Sequence, residues 1–246
     1  MNLISELIEE GKKPQKRLPY DQYLLEKNRI EKVFSEYFSG EAHVDRMTLE
    51  IECPGDVSIK SEVRKFGHNM LPIKFGKVFG NFDVSDIGLE TTQNFPYFVA
   101  KNFFAQNNKL RSLKGGPTYV GRQYEVSNNM IKNLDGLPEE LYDDLDLDGN
   151  PLETLRGMPK MIRKDSNIYL TLPYYNTKPY GILRLPMLEL NKVYFSPGPR
   201  GVKPENDKSA LLSDIVAKQL NKGRQGVVQL QKDLMDNGFE EWAKFE

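Results

Sequence analysis

Four prolines, Pro96, Pro117, Pro138 and Pro159, stand 21 residues apart, and that step governs the middle of the chain. Other columns keep it: Phe82, Phe103, Tyr124 and Leu145; Val84, Ala105, Val126 and Leu147; Leu89, Leu110, Ile131 and Leu152. Asn108, Asn129 and Asn150 recur, as do Leu113, Leu134 and Leu155, and then Gly115, Gly136 and Gly157. Several columns in phase at this period specify a solenoid, in which one turn of chain cannot enclose a core and stacking completes it. Alternating apolar residues such as Tyr124 and Val126 predict a short strand with inward side chains. The asparagine that follows turns the chain, and its amide can satisfy backbone groups stranded by a tight bend. Ile131 and Leu134 fill the space behind the strand, and a Gly-x-Pro corner reverses the chain without a helix.

The acidic stretch "DDLDLDGNPLE", residues 143–153, has to be placed against this period. Asp144, Asp146 and Asp148 before Gly149 resemble the start of a calcium loop. Such a loop needs a carboxylate at its twelfth position, which here is Leu155, and Pro151 interrupts it. The repeat gives a better account: "YDDLDLDGNPL" fits the leucine-rich consensus L-x-x-L-x-L-x-x-N-x-L, with Tyr142 in the first slot. Leu145 and Leu147 then point inward, Asn150 turns the chain, and the aspartates lie on the outer side of the strand.

The coils resemble the short leucine-rich repeats of bacterial secreted effectors, in the style "LPEEL…LDLDGNPLETL". They resemble more closely the leucine-rich-repeat-like proteins of large tailed phages. The motifs are "LRSLKGGPTYVGRQYEVSNN", the less regular "LPIKFGKVFGNFDVSDIGLETT", "PYGILRLPMLEL" and "NKGRQGVVQLQKDLMDNGFEEWAKF". The resemblance covers residues 55–246 and is strongest over 71–162. It implies an architecture and a phage origin, and no activity. Some secreted effectors append a cysteine-based ubiquitin ligase; the single Cys53, in "ECPGD" ahead of the repeats, does not fit that role.

Outside the regular coils the organisation follows local pattern. Residues 1–46 read as a helical cap, with Tyr23, Leu24, Ile30, Val33, Phe34 and Tyr37 on one stripe. Partner binding or oligomerisation is the other use of such a helix. Residues 47–195 form the solenoid: two strands joined at Pro54-Gly55 as an atypical first coil, regular coils over 71–162, and irregular, aromatic-rich coils after them. Residues 196–208, "SPGPRGVKPENDK", are a linker by composition. Residues 209–246 form a helical hairpin cap that buries Leu211, Leu212, Ile215, Val216 and Leu220, then Val227, Leu230 and Leu234, with Trp242 and Phe245 as packing anchors. A DNA-reading helix-turn-helix is the weaker reading, because Asp233 and Asp236 on its second helix would repel phosphates. The expected fold is α+β: a β-rich, leucine-rich-repeat-like solenoid of 21-residue coils with helical N- and C-terminal caps.

Composition narrows the chemistry. A formal charge of −1 provides no global field for nucleic acid or anionic membrane. One cysteine and two histidines, His43 and His68, leave no multi-cysteine zinc site and little for histidine chemistry. Cys53 reads as a buried small residue rather than a nucleophile, and His68 as structural or surface. No phosphate-binding glycine loop, G-x-S-x-G elbow or H-E-x-x-H helix occurs, though abundant carboxylates leave a paired-carboxylate hydrolase open. No signal peptide or spanning run is visible, so a soluble protein of the infected cell's cytoplasm, or of the virion, is expected.

These observations lead to a non-catalytic interaction module without cofactor or metal, which binds a host or phage protein through its solenoid face or its helical ends. The candidate contact row is Asp83, Phe104, Glu125, Asp144, Asp146 and Asp148, an outer face that becomes acidic along the stack and suits a basic partner. The same face disfavours nucleic acid. A virion or assembly component that oligomerises through its flanks is the alternative. A site in the irregular segments, around Arg163, Lys164, Lys178 and Arg184, is the third reading, as an enzyme or nucleic-acid binder.

Overall fold

The computed structural model describes residues 18–60, 69–171, 181–196 and 208–244. Helix α1 (Tyr20–Tyr37) is followed by two short strands, β1 (Phe38–Ser39) and β2 (His43–Val44). Strands β3 (Ile51–Cys53) and β4 (Val57–Ile59) flank Pro54-Gly55. Each later coil then supplies one strand to each of two faces: β5 (Phe75–Val78) and β6 (Phe82–Asp83), β7 (Phe98–Val99) and β8 (Phe103–Phe104), β9 (Tyr119–Val120) and β10 (Tyr124–Glu125), β11 (Glu140–Leu141) and β12 (Leu145–Asp146). The next coil carries β13 (Met161–Ile162) and β14 (Asn167–Thr171). A 3-10 helix (Ile182–Met187) and β15 (Lys192–Ser196) complete the stack, before α2 (Ser209–Ala217) and α3 (Gly223–Asp236).

The first face is an eight-stranded sheet, β1-β4-β6-β8-β10-β12-β14-β15, parallel except for β1 at its edge. The second face is β2-β3-β5-β7-β9, with β2 antiparallel at its edge, and then the parallel pair β11-β13. The repeat columns are the rungs of this stack. Phe82 pairs with Phe103, Phe103 with Tyr124 and Tyr124 with Leu145, all four fully buried. The column continues to Val57 on one side and to Ile168 and Val193 on the other. Rings dominate the N-terminal half of this interior: Phe38 meets Phe75 at 5.0 Å, Phe75 meets Phe82 at 5.1 Å, and Phe103 meets Tyr124 at 4.8 Å. Edge-on and offset ring pairs of this kind add about 0.5–1.5 kcal/mol each beyond their area burial.

Both corners of the coil are periodic in backbone conformation. Asp86, Asn107, Asn128 and Gly149 have φ of 63°, 56°, 53° and 72°; Asn94, Gly115, Gly136 and Gly157 have 71°, 90°, 105° and 91°. Left-handed positions are where Gly, Asn and Asp cost least, so the composition of the corners follows. Behind the first corner the buried asparagines form a ladder. The Asn129 side-chain oxygen accepts the Leu110 N–H at 2.9 Å, and its amide donates to Ala105 O and Val126 O at 3.0 Å each. Asn108 and Asn150 repeat this pattern one coil to either side.

The ends differ in part from the sequence reading. Helix is limited to Tyr20–Tyr37 within 18–46, because Phe38 and Val44 are spent on antiparallel strands that close the first edge of each sheet. Leu24 lies exposed beside the stripe, whereas Tyr23 and Phe34 are buried. In α2, Leu212, Ile215 and Val216 are buried against the stack, while Leu211, one position off that stripe, is 42% exposed. Ser213 Oγ accepts the Phe195 N–H at 3.2 Å, which ties α2 to the last strand. Trp242 packs half-buried against the core. His68, Lys178, Phe245 and the linker interior, 197–207, lie outside the described residues.

Candidate functional site

On the first face the strand pairing sets Asp83, Phe104, Glu125 and Asp146 side by side in one outward row. Each is half-buried by its neighbours. The row runs on to Tyr169 and Tyr194, whose rings stack at 4.9 Å, with Lys192 Nζ 4.6 Å from the Tyr194 ring centre. Burial raises the Tyr169 phenol, and the negative charge of Asp144 adds to this, followed by Tyr194 and Asp146.

Two of the six sequence-predicted contact residues stand beside the row and are engaged by the coils that follow. Asp144 Oδ1 accepts the Asn167 N–H at 2.7 Å and its side-chain amide at 3.2 Å. Asp148 Oδ1 accepts hydroxyls from Thr171 and Ser196, two coils joined through one carboxylate. In the row itself, Asp83 accepts the Ser85 N–H at 3.0 Å, and Asp146 accepts the Asp148 N–H at 2.9 Å. Ser127, which the alternation places outward, is buried at 3% exposure.

Asp144 also belongs to a feature that sequence reasoning missed. At the corner between the faces, Asp56 accepts the Asn81 N–H at 2.8 Å, Asn81 accepts the Asn102 N–H at 3.1 Å, and Asn102 accepts the Gln123 N–H at 3.2 Å. Asp144, Asn167 and Asn191 form a second run of this outer ladder. The signal was present as the column 81, 102, 123, 144, with Asn, Asn, Gln and Asp in turn.

The second face carries an aromatic stripe. Phe79 and Phe98 lie 5.7 Å apart, Phe98 and Tyr119 stack at 4.8 Å with planes 7° apart, and Tyr119 and Tyr142 lie at 5.5 Å. Phe79 and Tyr119 are 48% and 37% exposed. At one end the pairing sets Lys77 beside Phe98, with Lys77 bridged to Glu52 at 3.5 Å, and toward the other Lys160 pairs with Glu139 at 2.8 Å. Tyr142 also lines a cleft of about 590 Å³, with Met161, Ile162, Met187 and the charged Lys160, Arg163, Lys164 and Glu189 among its walls. The cleft lies where the second face stops at β13 and the 3-10 helix replaces the next strand. Arg163 and Lys164, grouped by sequence with Arg184, line this cleft, and Arg184 does not.

Cys53 is fully buried, and desolvation pushes its thiol up to about 12. Among the described residues no group of three or more His, Cys, Asp or Glu side chains is placed to hold a metal ion. No helix among them is long and apolar enough to cross a membrane. The two sheet faces are what the molecule presents. The fold is a multi-turn β-solenoid with flanking helices, consistent with leucine-rich-repeat-like proteins in general. Comparison with protein-family models, curated proteins and solved structures finds no match for this chain.

Proposed function

We propose that this chain is a non-catalytic interaction module that binds a protein, host or viral, through the outward side of its eight-stranded sheet. The observation that carries this reading is the in-register row Asp83–Phe104–Glu125–Asp146, which continues into Tyr169 and Tyr194. Rigid parallel strands hold these side chains at the spacing of a sheet, so little ordering is required on binding. Carboxylates with aromatic anchors suit a basic partner surface and repel phosphate backbones. Viral origin, with action in the infected cell's cytoplasm or in the virion, rests on the resemblance of the coils to those of tailed-phage proteins.

The test is partner recovery from infected-cell lysate with the wild-type chain and with Glu125→Lys/Asp146→Lys. Selective loss of a recovered protein by the variant is expected. Identical recovery by both chains would remove this face from the reading. An assembly role is favoured by one observation: Tyr20 and Leu25 on α1 are 60% and 71% exposed. Light scattering checks it, with a concentration-dependent increase in mass expected and a strict monomer counting against it.

A further inference from the structure

The geometry points to a second binding site: the cleft at the end of the second face takes an extended peptide with an apolar anchor flanked by carboxylates, and the aromatic stripe seats its continuation. This site rests on the reading of the chain as a protein-binding solenoid, but lies on the other face. Several observations converge on the cleft. Along the second face the coils are joined through one carbonyl position: Val78 O accepts the Ala100 N–H at 2.8 Å, Val99 O the Gly121 N–H at 3.0 Å, and, past the break between β9 and β11, Leu141 O the Arg163 N–H at 2.9 Å. Ile162 holds the corresponding position in β13, the last strand of this face, and among the described residues no donor meets its carbonyl. A sheet edge of this kind accepts an added strand.

The walls state the chemistry of the occupant. Met161 and Met187 are 45% and 55% exposed, and with Tyr142 they form an adaptable apolar floor. Lys160, Arg163 and Lys164 oppose Glu189 alone among the charged lining residues. Lys160 is paired with Glu139, whereas neither Arg163 nor Lys164 has a carboxylate partner among the described residues. The volume falls in the range of pockets that bury a small ligand or an anchoring side chain, about 300–1,000 Å³. Tyr142 is shared by the cleft and the stripe, so an occupant leaving the cleft meets Tyr119 and Phe98 next. A peptide can set one or two carboxylates on Arg163 and Lys164 and avoid the neighbouring Glu139 and Glu140. A continuous phosphate backbone along the stripe would run onto both, so the observations favour the peptide over a nucleic acid.

The experiment is selection of a random peptide library on the full chain, followed by fluorescence anisotropy with the enriched peptides and with a random single-stranded oligonucleotide. Three variants serve: Arg163→Glu/Lys164→Glu, Met187→Ala, and Glu125→Lys/Asp146→Lys on the first face, each checked by circular dichroism for an unchanged fold. Enrichment of peptides with an apolar residue between acidic ones is expected, with affinity lowered about tenfold or more by either cleft variant and unchanged by the first-face variant. Binding that survives both cleft variants and falls with the first-face variant would overturn this site and leave the protein-binding reading standing. Absence of any enrichment would overturn the cleft site, while the first-face reading is decided by the partner recovery described above. Tighter binding of the oligonucleotide, weakened by Arg163→Glu/Lys164→Glu, would overturn the choice of a peptide.

Discussion

At Asn129 one side chain does what a strand partner would otherwise do. Its oxygen accepts the Leu110 N–H, and its two amide N–H groups are shared among the Ala105, Val126 and Ser127 carbonyls, at a corner that water does not reach. Asn129→Leu keeps the volume but strands these groups, so a loss of roughly 3 kcal/mol or more is expected in urea unfolding, given about 1–3 kcal/mol per buried unsatisfied group. Tyr124 presents the opposite case. Its hydroxyl is buried with no hydrogen-bond partner among the described residues, and desolvation raises the phenol strongly. Tyr124→Phe is therefore expected to leave stability unchanged or raise it by about 1 kcal/mol, measured by the same urea midpoint. Cys53 offers a chemical readout of the same interior. With its thiol held near 12 by burial, it should react with a thiol reagent at neutral pH only as fast as the chain unfolds. Rapid stoichiometric labelling of the native protein would contradict its placement.

At the scale of the element, the corners decide. Gly136 combines a φ of 105° with a position where an added Cβ would stand 2.4 Å from the Leu113 carbonyl carbon. Gly136→Ala should therefore destabilise by more than the ~1 kcal/mol of an ordinary glycine substitution, seen as a lower thermal midpoint. The acids of the turns make stability depend on pH. The Asn81 backbone N–H lowers the Asp56 carboxyl, and the Arg156 guanidinium lowers that of Asp135. A carboxyl depressed in the folded state binds fewer protons there than in the unfolded chain. Its contribution is present above the ordinary carboxylate range and is lost as pH falls through the depressed values. The urea midpoint should thus decline as pH drops below about 4, with a shallower decline in Asp135→Asn. Asp56 is exposed and Asp135 half-buried, so salt should reduce the effect, more for the first than for the second.

For the whole molecule, the 21-residue step makes a removable unit. Deleting Asn108–Asn128 joins Asn107 to Asn129, which restores the Asn-Asn corner and brings Phe103 beside Leu145. A folded chain with a smaller denaturant m-value is expected, because contacts are shared only between neighbouring coils. Deleting half that length would exchange inward for outward residues and abolish cooperative unfolding. The same logic explains what the sequence disclosed. Columns such as Phe82 to Leu145 answer one requirement, burial in a stacked interior, so their period survives changes of residue. The row Asp83, Phe104, Glu125, Asp146 followed from that period, since outward positions alternate with inward ones. The second face did not. Phe98 and Tyr119 share a column with Glu140 and Met161, while Phe79 and Tyr142 lie outside it, so the stripe exists only once the coils are stacked. The cleft arises where a 3-10 helix takes the place of a strand; the loss of the 21-residue step after residue 162 marked that segment, with Arg163 and Lys164 in it, but not the shape that the helix gives it.

The bonds between strands point from one coil to the next, along the direction in which the coils are piled. Tension that draws the two ends apart in that direction falls on the rungs in series, and each gives way by itself. The chain would lengthen under load like a spring uncoiling turn by turn, with a force trace of many small even steps and no single large rupture.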